Sequence, residues 1–248
     1  MARKLVIGNW KLNGSSAANA VLLTELAAEW RGAPGMQLVV CPPAPYLAQA
    51  CDVLSGSAVT WGGQDVSDRP AGAFTGEVSA AMLKDLGCSH AIVGHSERRL
   101  RFGESNALVA AKAAAALDGG LVPVVCIGES AAERNEGRAL AVLQAQVEAV
   151  LAVVAAPRLP GVAFAYEPLW AIGTGQNADP QIAATVHAFV RGLLARADLA
   201  AAAEVPILYG GSVKAANAAE YAAQRDIDGV LVGGASLIAP DFLAIAAA

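Results

Sequence analysis

Three ionisable residues follow short apolar runs in this 248-residue chain: Lys11 in Asn9-Trp10-Lys11, His95 after Gly94, and Glu167 at the start of Glu167-Pro168. A cation, an imidazole and a carboxylate are the groups that proton transfer on a small polar molecule needs, provided that they meet. Singly, each has an ordinary explanation: a surface lysine, a satisfied core histidine, half of an ion pair. Two glycine pairs add a further possibility, Gly210-Gly211 before Ser212 and Gly233-Gly234 before Ala235. Glycine lets backbone N–H groups approach an oxyanion closely, and a helix N-terminus favours its charge. Turns use Gly-Gly everywhere, so here too position decides.

The elements that must position these groups are legible as an alternation of short β-branched runs with longer Ala/Leu-rich segments. Eight strands are predicted: Leu5 to Trp10, Gln37 to Cys41, Val59 to Gly63, Ala91 to Gly94, Val122 to Ile127, Val162 to Tyr166, Pro206 to Tyr209 and Gly229 to Val232. Nearly all are apolar on both faces, as strands enclosed by helices are. Ser130 with Glu133 forms a capping box, predicting a helix from there to about Ala155, and Asp179-Pro180 places a cap before a first-turn proline. Ser96 followed by Glu97 opens a helix directly after His95, and Gly233-Gly234 stands where another could begin. Eight strand–helix units without a Ser/Pro-rich linker predict an α/β fold, one (β/α)8 TIM barrel spanning residues 1–248. In that fold the C-terminal ends of the strands converge on one mouth, and Lys11, His95, Glu167 and both glycine pairs stand at such ends.

The stretches "GNWKLNG", "GHSERR", "AYEPLWAIGTG", "YGGSV" and "VGGASL", in this order across almost the entire chain, resemble the triosephosphate isomerase family. The resemblance implies interconversion of dihydroxyacetone phosphate and D-glyceraldehyde 3-phosphate through an enediolate. It places the reaction in glycolysis, gluconeogenesis and the pentose phosphate shunt, with no metal and no organic cofactor. It makes Glu167 the base, His95 a neutral hydrogen-bond donor, Lys11 the cation beside the developing charge, Asn9 a polar support and Glu97 a secondary catalytic residue. Asn9 and Lys11 also contact the substrate, and Gly173, Ser212, Gly233 and Gly234 match the family's phosphate contacts.

The segment from Pro168 to Ala178 then corresponds to a lid that folds over the phosphate and excludes water from the base. Trp170 belongs to its stiff end, in a segment expected to be exposed, and Tyr209 is expected to latch it. The loop from Asp65 to Glu77 is far longer than the usual two to six residues. By resemblance it docks into a second copy of the chain, where Thr75 supports the partner's Asn9 and Lys11, so a homodimer is expected. Phe74, an apolar residue at the loop's tip, agrees. Asp65, Leu169, Gln176 and Asn106 depart from the residues common in the family (Asn, Val, Lys and Asp), and none removes a proposed catalytic group. For Arg98 a structural ion pair is as good a reading as a functional one.

Composition excludes several other classes. A net charge of −5 argues against a nucleic-acid surface. No apolar run approaches a membrane span, and the three-residue apolar stretch near the start is too short for a secretory signal, so a cytoplasmic protein is expected. Cys41, Cys51, Cys88 and Cys126 show no C-x-x-C pairing and read as reduced thiols, with no metal site. A Schiff-base aldolase on the same barrel needs a buried strand lysine, yet the sixth strand ends in Glu167. A nicotinamide enzyme needs G-x-G-x-x-G after an early strand, which Gly173-Thr174-Gly175 does not supply. A non-catalytic barrel has no reason to hold Lys11, His95 and Glu167 together.

Overall fold

The computed structural model describes residues 4–171 and 178–248. Its strands are β1 (Lys4–Asn9), β2 (Met36–Cys41), β3 (Val59–Gly63), β4 (His90–Val93), β5 (Val122–Ile127), β6 (Ala163–Tyr166), β7 (Ile207–Tyr209) and β8 (Gly229–Val232). They pair in parallel in chain order, and β8 returns to β1 through Leu5–Gly229 to Gly8–Val232, closing the barrel. All eight predicted strands are present, three with the predicted bounds and the rest shifted by a residue at one or both ends.

Two separate apolar clusters explain the closure. Leu5, Ile7, Val39, Cys41, Ile92, Val124, Cys126, Ala163, Ala165, Leu208 and Leu231 fill the interior. The alternate residues, among them Val6, Leu38, Val40, Val93, Val125 and Phe164, pack outward against the helices. Side chains alternate along a strand, so extending the inward series by one step reaches the mouth. Leu5 and Ile7 lead to Asn9, and Ala163 and Ala165 lead to Glu167. On β4 the series would continue from Ile92 to Gly94. Gly94 instead turns into the left-handed region at φ 65°, where an added Cβ would meet Val109 Cγ1 at 2.5 Å, and the turn delivers His95.

The first half carries α1 (Ser16–Glu29), α2 (Leu47–Leu54), α3 (Ala80–Asp85), α4 (Ser96–Phe102) and α5 (Asn106–Asp118). The second half carries α6 (Ala131–Asn135), α7 (Ala139–Leu151), α8 (Pro180–Ala197), α9 (Leu199–Ala202), α10 (Ala218–Ala222) and α11 (Ala239–Ala246). Both predicted caps form: Ser130 and Glu133 make the reciprocal capping box of α6, and Asp179 accepts from Gln181 N ahead of Pro180.

Two helix expectations need correction. The helix predicted from Ser130 to about Ala155 is two helices, because Gly137 enters the left-handed region at φ 72° and ends α6. After β8, Gly234–Leu237 is a single 3-10 turn, and the α-helix begins only at Ala239.

Candidate active site

Asn9, Lys11, His95, Glu167, Ser212, Gly233 and Gly234 line one cavity of about 450 Å³ at the C-terminal mouth of the barrel. Seven of the nine residues expected at the site therefore meet at one surface. Glu97 is not in the lining; it acts on Lys11 from behind. Gly173 lies outside the described residues, as do Gln176 and Asn177.

Glu167 is 2% exposed, and both its oxygens face donors. His95 Nε2 lies 2.9 Å from Oε1, and the Ser96 amide donates to Oε2 at 2.8 Å. Gly210 makes room for this carboxylate: a Cβ there would sit 2.9 Å from Glu167 Cγ. Beneath it the Cys126 thiol is held protonated, pushed well above its usual range by burial first and then by the Glu167 charge.

His95 caps α4, and its Nδ1 accepts the Glu97 amide N–H at 3.3 Å. A nitrogen that accepts carries no proton, so the ring proton sits on Nε2, facing Glu167 and the cavity. An Nε2–H that faces the cavity is what the donor role expected of His95 requires.

Lys11 is the one non-glycine residue among the described residues with positive φ, at 53°. This backbone costs energy and persists because its surroundings hold it. Asn9 Oδ1 accepts the Lys11 amide at 3.1 Å, and Gln64 Nε2 donates to Lys11 O at 2.9 Å. The Lys11 ammonium meets Glu97 Oε1 at 2.7 Å. Partial burial pushes the Glu97 carboxyl upward, but the hydrogen bond and charge of Lys11 outweigh it and hold Glu97 below its usual range. Gly233 stands close by; a Cβ built there would lie 3.7 Å from Lys11 Cε.

Arg98 resolves to its structural reading. Its Nε meets Glu104 Oε1 at 2.6 Å and its Nη2 meets Asp65 Oδ2 at 2.8 Å. Lys112 closes the ring, at 2.5 Å from Glu104 Oε1 and 2.8 Å from both Asp65 oxygens. Burial pushes the Glu104 carboxyl up, but hydrogen bonds from Lys112 and Arg98 pull it net below its usual range.

Residues 4–248 match the family model described as triosephosphate isomerase. The triosephosphate isomerase of Thiobacillus denitrificans is 56% identical over 99% of this chain and 98% of its own length. Those of Cupriavidus necator and Herminiimonas arsenicoxydans are 55% and 54% identical, again over 99% of this chain. The chain belongs to the triosephosphate isomerase family.

Around the triosephosphate isomerase site stand Glu129, Arg134, Tyr221 and Lys214, which the sequence did not single out. Glu129, wholly buried, accepts from Trp170 Nε1 at 2.8 Å and Tyr166 Oη at 3.0 Å, and pairs with Arg134 at 3.2 Å. Arg134 also lies over the Trp170 ring at 4.6 Å. Trp170, expected in an exposed segment, is therefore half-buried and anchored, which corrects that reading. Glu129 carried a usable signal, since it stands one glycine past an apolar strand and Glu167 is likewise an acid at a strand's end. Tyr209 lies at the other end of the 168–178 segment: its hydroxyl accepts the Ala178 amide at 3.2 Å, and its ring stacks on Tyr221 at 4.2 Å. Lys214 also lines the cavity, beyond Ser212.

Among the described residues no group of three or more His, Cys, Asp or Glu is placed to hold a metal ion, and no helix is long and apolar enough to cross a membrane.

Proposed function

We propose that Glu167 is the base, His95 and Lys11 the electrophilic donors, and the turns at Ser212 and Gly233-Gly234 the phosphate seat of this triosephosphate isomerase site. The reaction of the family, interconversion of dihydroxyacetone phosphate and D-glyceraldehyde 3-phosphate, is the activity of the chain. It moves one proton between adjacent carbons and one between the oxygens they carry. The observation that carries the assignment is the pairing of Glu167 with His95 Nε2 at 2.9 Å inside the cavity that Lys11 shares.

The His95 donor that will polarise the carbonyl faces the base at 2.9 Å. Substrate oxygens that accept the His95 N–H and the Lys11 ammonium release Glu167 Oε1, and the freed carboxylate takes the proton from the carbon beside the carbonyl. The enediolate oxygens then face a neutral N–H and a cation, the pairing that stabilises developing negative charge best when fixed beforehand. Returning the proton to the neighbouring carbon completes the isomerisation. Asn9 acts through the Lys11 backbone, and Glu97 fixes where the ammonium points. By the same resemblance we add the Gly173 amide to the phosphate contacts.

We further propose that residues 1–248 act as one domain and that two copies assemble through the loop from Asp65 to Glu77. Thr75 is exposed and Phe74 is 44% exposed at that loop, and Leu12, Met82 and Phe102 are exposed apolar residues outside it. A cavity of about 270 Å³ lined by Lys11, Gln64, Asp65 and Arg98 is open to receive a loop. Sedimentation should give twice the chain mass at micromolar concentration; the chain mass at that concentration would remove the dimer. We place the reaction in the cytoplasm, with glycolysis and gluconeogenesis.

The isomerase assignment is tested by incubating the protein with dihydroxyacetone phosphate in deuterated water. Aldehyde formation together with deuterium at the carbon beside the carbonyl is expected. Turnover without any solvent label, in Glu167→Gln as in the parent, would remove Glu167 as base.

A further inference from the structure

Among the described residues, every charge at the cavity except one is answered by an opposite charge or spent on chemistry. Lys11 is matched by Glu97 at 2.7 Å. His95 is neutral by its hydrogen bonds, and Glu167 contributes one negative charge. With Glu97 counted behind the lining, Lys11, Glu97 and Glu167 sum to −1 without Lys214, on a chain whose net charge is already −5. A phosphate monoester brings about −1.5 to −2 at neutral pH. Such a ligand would approach a repelling opening.

Lys214 cancels that charge. Its side chain is exposed at the rim, it lines the same cavity as Ser212 and Gly233, and it makes no ion pair among the described residues. Its backbone is fixed by Asn217: Oδ1 accepts the Lys214 amide at 2.8 Å, the Asn217 amide donates to Lys214 O at 3.1 Å, and Nδ2 donates to Ser212 O at 3.3 Å. Ala218 N adds a second bond to Lys214 O at 3.0 Å. One asparagine thus ties the lysine's position to the Ser212 carbonyl of the phosphate seat.

We infer that Lys214 is the recruiting cation of this enzyme, a residue that draws the phosphorylated substrate to the mouth without taking part in the proton transfers. This rests on the phosphate reading of the cavity. A rim charge acts on association and its salt dependence more than on the events after docking. Its reach is the Debye length, about 8 Å at physiological ionic strength and about 30 Å at 0.01 M.

The test is Lys214→Gln beside Lys214→Arg, with Arg158→Gln as a control that removes one positive charge, paired with Asp118, from the turn that enters β6, at the N-terminal end of the strands and so opposite the mouth. At about 0.01 M ionic strength Lys214→Gln should lower kcat/KM by about 3- to 10-fold with kcat little changed. The gap should narrow as salt is added, Lys214→Arg should recover most of it, and Arg158→Gln should match the parent. Equal salt dependence in parent and Lys214→Gln, a loss confined to kcat, or an equal loss in Arg158→Gln would each overturn the inference. Parent turnover in the same assay tests the isomerase reading by itself. If that fails, calorimetry with inorganic phosphate still decides Lys214: weaker binding in Lys214→Gln, most marked at low salt, supports it, and equal binding sinks it.

Discussion

Helix α4 joins two clusters of charge that obey opposite rules. At its start, His95, Lys11 and Glu167 line a cavity open to solvent with Glu97 behind Lys11, and among the described residues the carboxylate of Glu167 makes no ion pair with a lysine or arginine. Further along the same chain segment, Arg98 enters the ring with Asp65, Glu104 and Lys112, two cations facing two anions with every neighbour within 2.8 Å. The ring is balanced, and so it can be buried: Lys112 is 4% exposed and Glu104 6%. The mouth is left unbalanced at the carboxylate, whose donors are neutral, and a carboxylate without a counter-charge keeps the basicity that proton abstraction needs. Charge that is satisfied holds the wall; charge that is withheld does chemistry.

The sharpest way to break this contrast is to remove one charge from each cluster. Glu167→Gln keeps the shape and the ability to accept from Ser96 N, so the fold should survive with an unchanged melting temperature. Loss of the base should lower kcat by about 10²- to 10⁴-fold, measured by steady-state assay in both directions. His95→Gln should lose less, because Lys11 still faces the substrate oxygens. A Glu167→Gln enzyme nearly as fast as the parent would end the distinction.

Lys112→Met should do the reverse. It leaves Asp65 and Glu104 sharing Arg98 in a buried setting, and breaking such a pair costs about 3 to 5 kcal/mol. Denaturant midpoints should fall accordingly, while kcat per folded molecule at low temperature stays within a few-fold of the parent. A stable Lys112→Met protein that has lost its activity would mean that the ring serves the chemistry after all.

The two clusters also differed in how far the sequence disclosed them. Glu167, His95 and Lys11 each follow an apolar strand, and strand periodicity places a strand's last residues at the mouth, so their meeting followed once eight strands had been counted. The ring had no such signature. Residues 65, 98, 104 and 112 come from a loop, a helix, a turn and a second helix, and only the packing of α4 and α5 beside β3 and β4 brings them together. The break at Gly137 was missed for a related reason: the apolar pattern runs on through it, and one left-handed glycine decides the matter. Trp170 was read as exposed because its partner, Glu129, lies far from it in sequence.

A buried titratable group without a counter-charge sharpens the comparison further. His187, wholly buried on α8, packs edge-on against Tyr166 at 6.0 Å, and its Nδ1 lies 3.2 Å from Asp226 O. Burial, foremost, brings it down from 6.5 to about 4. The folded protein therefore keeps the ring neutral where the unfolded chain protonates it. Stability from this source is complete above pH 6.5, falls as pH drops through the interval, and is fully lost below about 4. The interval corresponds to about 3 kcal/mol. His187→Gln should flatten the pH dependence of unfolding free energy between pH 7.5 and 4.5, whatever it does to stability at neutral pH; an unchanged slope would reject the assignment.

The smallest expected effect concerns the cap that holds Glu129 in place. Ser130 Oγ accepts the Glu133 amide at 3.2 Å, and Glu133 Oε2 returns to the Ser130 amide at 2.8 Å, so two first-turn donors are satisfied reciprocally. Glu133 is held below its usual range by that backbone bond first, and its share of the stability is present above the unfolded value and lost as pH falls through the folded one. Ser130→Ala removes the hydroxyl's bonds, from the Glu133 amide and to Glu133 Oε2, and leaves the one from the Ser130 amide, at a site next to Glu129 but outside the cavity. A cost of about 1 kcal/mol should lower the melting temperature by about 2 to 4 °C, with kcat and KM unaltered. A change in kcat without a change in melting temperature would mean that the anchoring of Trp170 by Glu129 reaches the chemistry, and the boundary between wall and mouth would then have to be drawn on the far side of α6.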